Sequence, residues 1–483
     1  MEKSKLIALL RTFEGSEMRE LSKYLEGSSY RKTGPVFALF NYLKKLHPEF
    51  PAKKIEKELV YSKVEPKRKF GRRYFDIVSY LIGVVEDFLI QKKLTTKETT
   101  RDFLLLEVLR DRKLDKVFFQ KIQSMEKAWE KERPPGLDQY HHEYLLRKEQ
   151  IFHPHSAVFT QDIGTERLSK DFELYFVSNT LYSALCQASI DAVSKSDKSK
   201  LIDDQFPYLK AIFEEIDRGN YAGEARIEIY ADILKSYINR DFSNYHKIYD
   251  RVKENLECFH DTEKYDLFNL LQYYCTTNYY SGKKEFLQEL FELYDFSINE
   301  SIALDQGYIT PITFRSMVYV ACAVDQTNWA AKFIVENEEF LEEKFRSDTA
   351  NLCRGILEFN KKNYENSVDQ IVAVKFHDPL YGLQARVLLL QCYYEIDDSE
   401  DQFMNLVRSF NAFLDRNKNL ADEVVVPTKQ FIKLASKLML SRTELNVDFE
   451  KLYEEISSTQ NVNAKKWLDE KATALLENKK GAR

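Results

Sequence analysis

Glycine and proline are scarce in this chain, 14 and 11 among 483 residues. Sheet-rich folds spend both on their many turns, so the shortage excludes such a fold and points to helices with short connections. Tryptophan is rarer still, at 3. The six cysteines, at 186, 258, 275, 322, 353 and 392, stand singly with no CxxC pair. That spacing argues against zinc and disulfide frameworks and implies reduced thiols within helices, as in a cytoplasmic protein. Long apolar runs are also missing. The N-terminal MEKSKLIALLRTFEG holds only five consecutive apolar residues, Leu6 to Leu10, too few for a secretory signal or a membrane span. No membrane partner is expected. GxGxxG, GxxxxGK[ST], GxSxG and the EF-hand loop do not occur.

What is present is material for a large helical core. Hydrophobic residues make up 44% and charged residues 31%, which excludes gross disorder. Phe and Tyr are abundant, at 33 and 29. In helical repeats such side chains fill the space between stacked helices. The net charge of −6 hides an asymmetry. Residues 1–150 carry 32 Lys and Arg against 23 Asp and Glu, a balance of +9; the remainder carries 39 against 54, a balance of −15. Oppositely charged halves suggest surfaces for different partners.

Residues 1–132 read as a basic helical module of seven segments: LIALLRTF, MRELSKYLEG, VFALFNYLKKL, KKIEKELVY, the central RRYFDIVSYLIGVVEDFLIQKKL, TTRDFLLLEVLRDRKL and KVFFQKIQSMEKAWEKE. Arg133-Pro134-Pro135-Gly136 is the strongest break in the chain. Residues 137–204 read as connecting helices, and 205–475 as a helical array. In the array a short polar turn and an aromatic recur between helices, the aromatics being Phe242, Phe286, Trp329, Tyr364 and Phe403, spaced by 44, 43, 35 and 39 residues. Recurrence at such periods marks solenoids, whereas an irregular helical bundle would show none.

The clearest unit is GILEFNKKNYENSVDQIVAVKFHDP, Gly355 to Pro379. Gly355 allows a partner helix to approach, Tyr364 packs over the turn, Ser367 is small and Pro379 is placed to end the second helix. The register of these four residues resembles one tetratricopeptide unit. LQARVLLLQCYYEIDD, with Tyr393 near the aromatic position, fits the first helix of a further one. The period drifts from the family's ~34 residues, so the resemblance implies a degenerate tetratricopeptide-like α-solenoid of antiparallel helix pairs. The N-terminal segments LLRTFEGSEMRELSKYLEGSSYRK, LFNYLKKLHPEFP and RRYFDIVSYLIGVVEDFL are similar to the beginnings of uncharacterised helical proteins from Bacteroidetes, which implies no chemistry.

Candidate functional residues are few. His142-Glu143-Tyr144-Leu145-Leu146 lacks the second histidine of a zincin helix, because Leu146 stands one turn on. His141, His142, His153 and His155 cluster within fifteen residues, and the HPH around Pro154 reads as a surface loop rather than a metal site. The segment KVEPKRKFGRRYF, from Lys63, is the sharper signal. Lys67, Arg68, Lys69, Arg72 and Arg73 interleave with Phe70, Tyr74 and Phe75, and the three rings have the spacing of a buried stripe. Solvated or internal pairing, an acidic protein partner and nucleic acid all stay open for these cations. Solenoids bind partners through polar residues of their inner helices, and Asn278, Arg315 and Arg354 are candidates there. The expectation is a non-enzymatic scaffold that binds a protein or peptide on the concave solenoid face. No metal, cofactor or small-molecule substrate is implied. The alternative is a nucleic-acid-associated regulator contacting phosphate through Lys63 to Arg73.

Overall fold

The computed structural model describes residues 1–27, 34–131, 136–156, 165–194, 205–241, 243–305, 307–374, 379–417, 420–443 and 448–481. The chain is all-α. Among the described residues there are twenty-three α-helices and three short 3-10 turns, and the only β pairing is a single bridge between Asp305 and Tyr308. The chain divides into two compact units, Met1–Arg133 with His142–Lys170, and Pro134–His141 with Asp171–Arg483. The stretch 137–204 is therefore shared out, 142–170 going to the first unit and the rest to the second.

In the first unit each of the seven sequence segments forms a helix, from Lys5–Arg11 to Asp115–Lys131. Arg72–Thr95 is central and packs against Lys5–Arg11, Gly15–Gly27 and Pro35–Lys44. It buries Ile77, Leu81, Val84, Val85 and Phe88. These recur at i, i+4, i+7, i+8 and i+11, one stripe of a 3.6-residue period. Each such side chain contributes about 1.5–3 kcal/mol of burial. A smaller second core gathers Leu106, Leu109, Phe118, Phe119, Ile122 and Leu146.

The second unit is layered. Pro311–Ala323 packs on Glu343–Asn360, which packs on Pro379–Glu395, then Asp422–Thr443, then Lys465–Gly481. Thr327–Asn337, Tyr364–Val372, Glu400–Arg416 and Phe449–Ser458 each pack on the members of that series before and after them. The turns between helices share one backbone device. Arg240, Gly282, Asp325, Lys362 and Asp398 all have positive φ, at intervals of 42, 43, 37 and 36 residues. At the first four the next amide returns to the carbonyl five residues back: Asp241 to Ser236, Lys283 to Asn278, Gln326 to Ala321 and Asn363 to Glu358, at 2.8–3.2 Å. This left-handed C-terminal closure satisfies helix-end carbonyls and reverses the chain in few residues. Of the turn aromatics, Phe286 and Phe403 are buried, Trp329 stacks on Phe333 at 5.0 Å, and Tyr364 packs on Phe359 at 5.5 Å. Phe242 lies outside the described residues.

Gly355 sits where Glu343–Asn360 and Tyr364–Val372 touch. A Cβ there would stand 2.5 Å from Ile371 Cγ1, and Ser367 Oγ donates to the Gly355 carbonyl at 2.7 Å. Pro379 departs from the sequence reading. It opens the helix Pro379–Glu395 instead of ending the one before, which stops at Val372. A proline costs nothing at a first helical position, where no intrahelical partner exists for an amide hydrogen.

Many tyrosines serve a polar core. Tyr140, Tyr182, Tyr221 and Tyr230 donate to the carboxylates of Glu224, Asp266, Glu173 and Glu263. Gly136, with φ of +84°, rests against the start of Asp261–Tyr280, where any Cβ would collide with Glu263 and His260.

Candidate functional site

The most developed surface in the second unit runs along the first helices of its layers. On Pro311–Ala323, Ile312 and Tyr319 are exposed and Arg315 and Ser316 half-buried. Residues at i, i+3, i+4 and i+7 share one helix face. Arg315 donates through Nη1 to Gln384 Oε1 of Pro379–Glu395, and its guanidinium lies 5.4 Å from the Tyr381 ring centroid. Glu343–Asn360 packs between those two helices in the layer order. Arg315 thus joins the first and third of these helices past the second.

Tyr319 is 63% exposed, and burial with the nearby Tyr279 and Tyr280 raises its phenol pKa. Tyr280 is 82% exposed. No carboxylate pairs with Arg315 among the described residues; its partners, Gln384 and Tyr381, are neutral. A fixed cation on the same helix face as the exposed Tyr319 suits an anionic or aromatic side chain of a partner.

The three residues expected on this face fare differently. Arg315 is there. Arg354 is half-buried and spent on Glu338 and on Asn351 at 3.3 Å. Asn278 is 2% exposed and locked in its own turn, its amide donating to Tyr274 O at 2.9 Å and its Oδ1 accepting from Lys283 Nζ at 3.0 Å. It is a helix-end residue, unavailable to a partner. Tyr319, Gln384 and Tyr381 escaped sequence reading. Tyr319 could have been found one helical turn after Arg315, whereas the link to Gln384 spans 69 residues and leaves no local trace.

The basic segment of the first unit also divides. Arg73 makes a bidentate pair with Glu65 at 2.7 and 3.1 Å, and Arg68 approaches the same carboxylate at 3.5 Å. Arg73 holds the Glu65 carboxyl below its ordinary pKa. Lys63, Lys67, Lys69 and Arg72 are exposed. Of the aromatic stripe only Tyr74 is buried; Phe70 and Phe75 are 37% and 51% exposed.

Of the four clustered histidines, His153 and His155 come together at Asp115. His141 stacks on Tyr175, while His142 lies against Phe103 and Trp129. His153 is buried between Phe118 and Phe119, at 4.5 and 4.9 Å, and burial lowers its pKa. The loop reading holds for His155, which is exposed and meets Asp115 at 2.6 Å, but not for His153. Among the described residues no three of His, Cys, Asp or Glu stand where they could hold a metal ion. Nor is any described helix long and apolar enough to cross a membrane.

No family model, curated protein or solved structure matches this chain.

Proposed function

We propose that the second unit is a tetratricopeptide-like solenoid that serves as a non-enzymatic scaffold, and that its concave face around Arg315 and Tyr319 holds an extended protein segment. The observation that carries this is the Arg315 bridge to Gln384 and Tyr381, which spans a helix layer. The recurring left-handed turns and the layered packing support the solenoid reading. The face offers a fixed cation, the exposed Tyr319 ring and neutral hydrogen-bonding groups, and the acidic balance of the region limits the match to a single carboxylate set on Arg315. Such a surface takes a segment carrying a carboxylate and an apolar or aromatic side chain.

A random-peptide display library panned against the whole protein tests this. Enriched peptides should carry Asp or Glu near an aromatic, and should lose binding to Arg315→Ala and to Tyr319→Ala by about tenfold, the worth of one charge-assisted contact. Peptides that bind both variants unchanged, or no enrichment, would remove the concave face from the account.

A further inference from the structure

Residues 53–73 hold nine Lys and Arg against three Glu, a local balance of +6. They fold as the turn Ala52–Lys54, the helix Lys57–Val64 and the loop that leads to Arg72–Thr95. Glu65 shapes that loop. It grips Arg73 and Arg68 and accepts from the Tyr61 hydroxyl at 3.4 Å. The other seven cations are exposed and form no ion pair with any described residue. Leaving them so is unfavourable for folding. They repel one another, and those at the start of a 24-residue helix oppose its dipole.

Two exposed rings lie within the same surface. Phe70 and Phe75 have centroids 6.1 Å apart, and Lys57 Nζ is 5.5 Å from the Phe75 centroid. Phe70 is fixed edge-on against Tyr61 at 5.9 Å and lies 5.2 Å from Tyr74. Cations that track a backbone beside rings that accept bases are the two parts of a single-strand binding surface. An acidic peptide requires only the cations, whereas a strand of phosphates and bases requires cations and rings together, and both are here. Duplex DNA would call for a helix that carries base-reading side chains into the major groove. Here Lys67 and Lys69 lie on a loop, and Arg72 only begins the helix.

We propose that this surface binds single-stranded nucleic acid, with Lys67, Lys69 and Arg72 on phosphates and Phe70 and Phe75 against bases. It is independent of the concave face of the second unit.

The test is fluorescence anisotropy of the full chain with labelled oligo-dT and oligo-rU across a salt series. Wild type should bind more weakly as salt rises. Lys67→Ala, Lys69→Ala and Arg72→Ala combined should weaken binding at least about tenfold. They should also flatten the log–log salt slope by about 2, because each phosphate contact contributes roughly 0.7 for single strands. Phe75→Leu should weaken binding about fivefold or more without changing that slope, as loss of one stacked base does. A control triple, Lys332→Ala, Lys344→Ala and Lys466→Ala, removes exposed lysines of the second unit and should change neither. The proposal is overturned if wild type fails to bind at low salt or if the control triple weakens binding equally. It is also overturned if poly-glutamate displaces the oligonucleotide at equal charge while Phe75→Leu binds normally. That last result would make the surface a dock for acidic protein.

Discussion

Two helix junctions in this molecule are built in opposite ways. Between Glu343–Asn360 and Tyr364–Val372 a left-handed backbone closure turns the chain, and the Glu358 carboxylate adds to it by accepting from Asn363 Nδ2 at 2.9 Å and Lys361 Nζ at 3.3 Å. Lys362 is left-handed, Asn363 N returns to Glu358 O at 2.9 Å, and the helices touch so closely at Gly355 that a methyl would not fit. Its polar groups turn inward, Ser367 onto the Gly355 carbonyl and Cys392 Sγ onto Ser367 at 3.3 Å. Between Lys57–Val64 and Arg72–Thr95 the loop is longer and is braced by side chains, with Glu65 holding Arg73 and Arg68. Its remaining cations face out. The first junction maximises packing; the second displays charge. A basic run therefore says little until the spent cations are separated from the free ones. Elsewhere some cations are spent as Arg73 is: Arg251 pairs with Glu228 and Asp232, and Lys437 and Lys433 share Glu455.

The largest effect should come from the packed junction. Ile371 is fully buried against Gly355, so Ile371→Ala should cost about 2–5 kcal/mol in chemical denaturation. Gly355→Ala should cost about 1–3 kcal/mol by overpacking, less what it regains in helix propensity. The double variant is the sharper test, because the new methyl occupies space that the truncated isoleucine vacates. Its cost should fall short of the sum of the two singles by about 0.5–3 kcal/mol, the usual coupling of touching side chains. Additive losses would mean that the helices do not meet at Gly355.

How far this was legible follows from the same contrast. The seven helices of residues 1–132 could be read because their apolar residues keep a 3.6-residue period, as in Ile77, Leu81, Val84 and Phe88. The turns near 240, 282, 325, 362 and 398 could be placed from polar residues before an aromatic. Their mechanism could not, because only Gly282 carries the residue that advertises a left-handed turn; Arg240, Asp325, Lys362 and Asp398 do not. Glu65 and Arg73 are eight residues apart across a loop, outside any helical pairing rule, so the split of the basic patch was invisible. Asn278 was misplaced because its polarity serves its own backbone. His153 was misread because two neighbouring phenylalanines bury it.

Smaller effects probe the backbone-closed turn and the buried histidine. Lys362 adopts a conformation that glycine reaches without strain. Lys362→Gly should therefore stabilise the protein, by up to about 1 kcal/mol after the greater freedom of unfolded glycine is subtracted. A loss would mean that the lysine stem packs more than its φ costs. In the first unit, burial holds the His153 pKa below 6.5, against the opposing pull of Asp115 and with His155 and Arg110 lowering it further. The unfolded chain then takes up the proton first. Stability should be complete above about pH 6.5 and decline as pH falls through the folded value. Denaturation midpoints at about pH 7.5 and pH 5.5 should differ more for wild type than for His153→Leu, where this proton is gone.

The finest effect belongs to the side-chain brace. Arg73 hydrogen bonds to Glu65 first of all, and its charge adds to that, so the carboxyl titrates below its ordinary 4.5. An unfolded or released glutamate would bind its proton earlier as pH drops. The brace is therefore whole above about pH 4.5 and disappears as pH falls through the lower folded value. The pair is partly open to solvent, so global denaturation is a blunt probe of it. The Arg73 Nε–H resonance is the better one. It should stay protected from solvent exchange at neutral pH, broaden below pH 4.5, and be unprotected at every pH in Glu65→Gln. The Asn363 backbone amide donates to the Glu358 carbonyl, which does not titrate, and should stay protected through the same acid range in both proteins. If the two N–H groups lost protection together, the carboxylate brace and the backbone closure would not differ as their acceptors imply, and the free cations of residues 53–73 would sit on no more ordered a frame than any exposed loop.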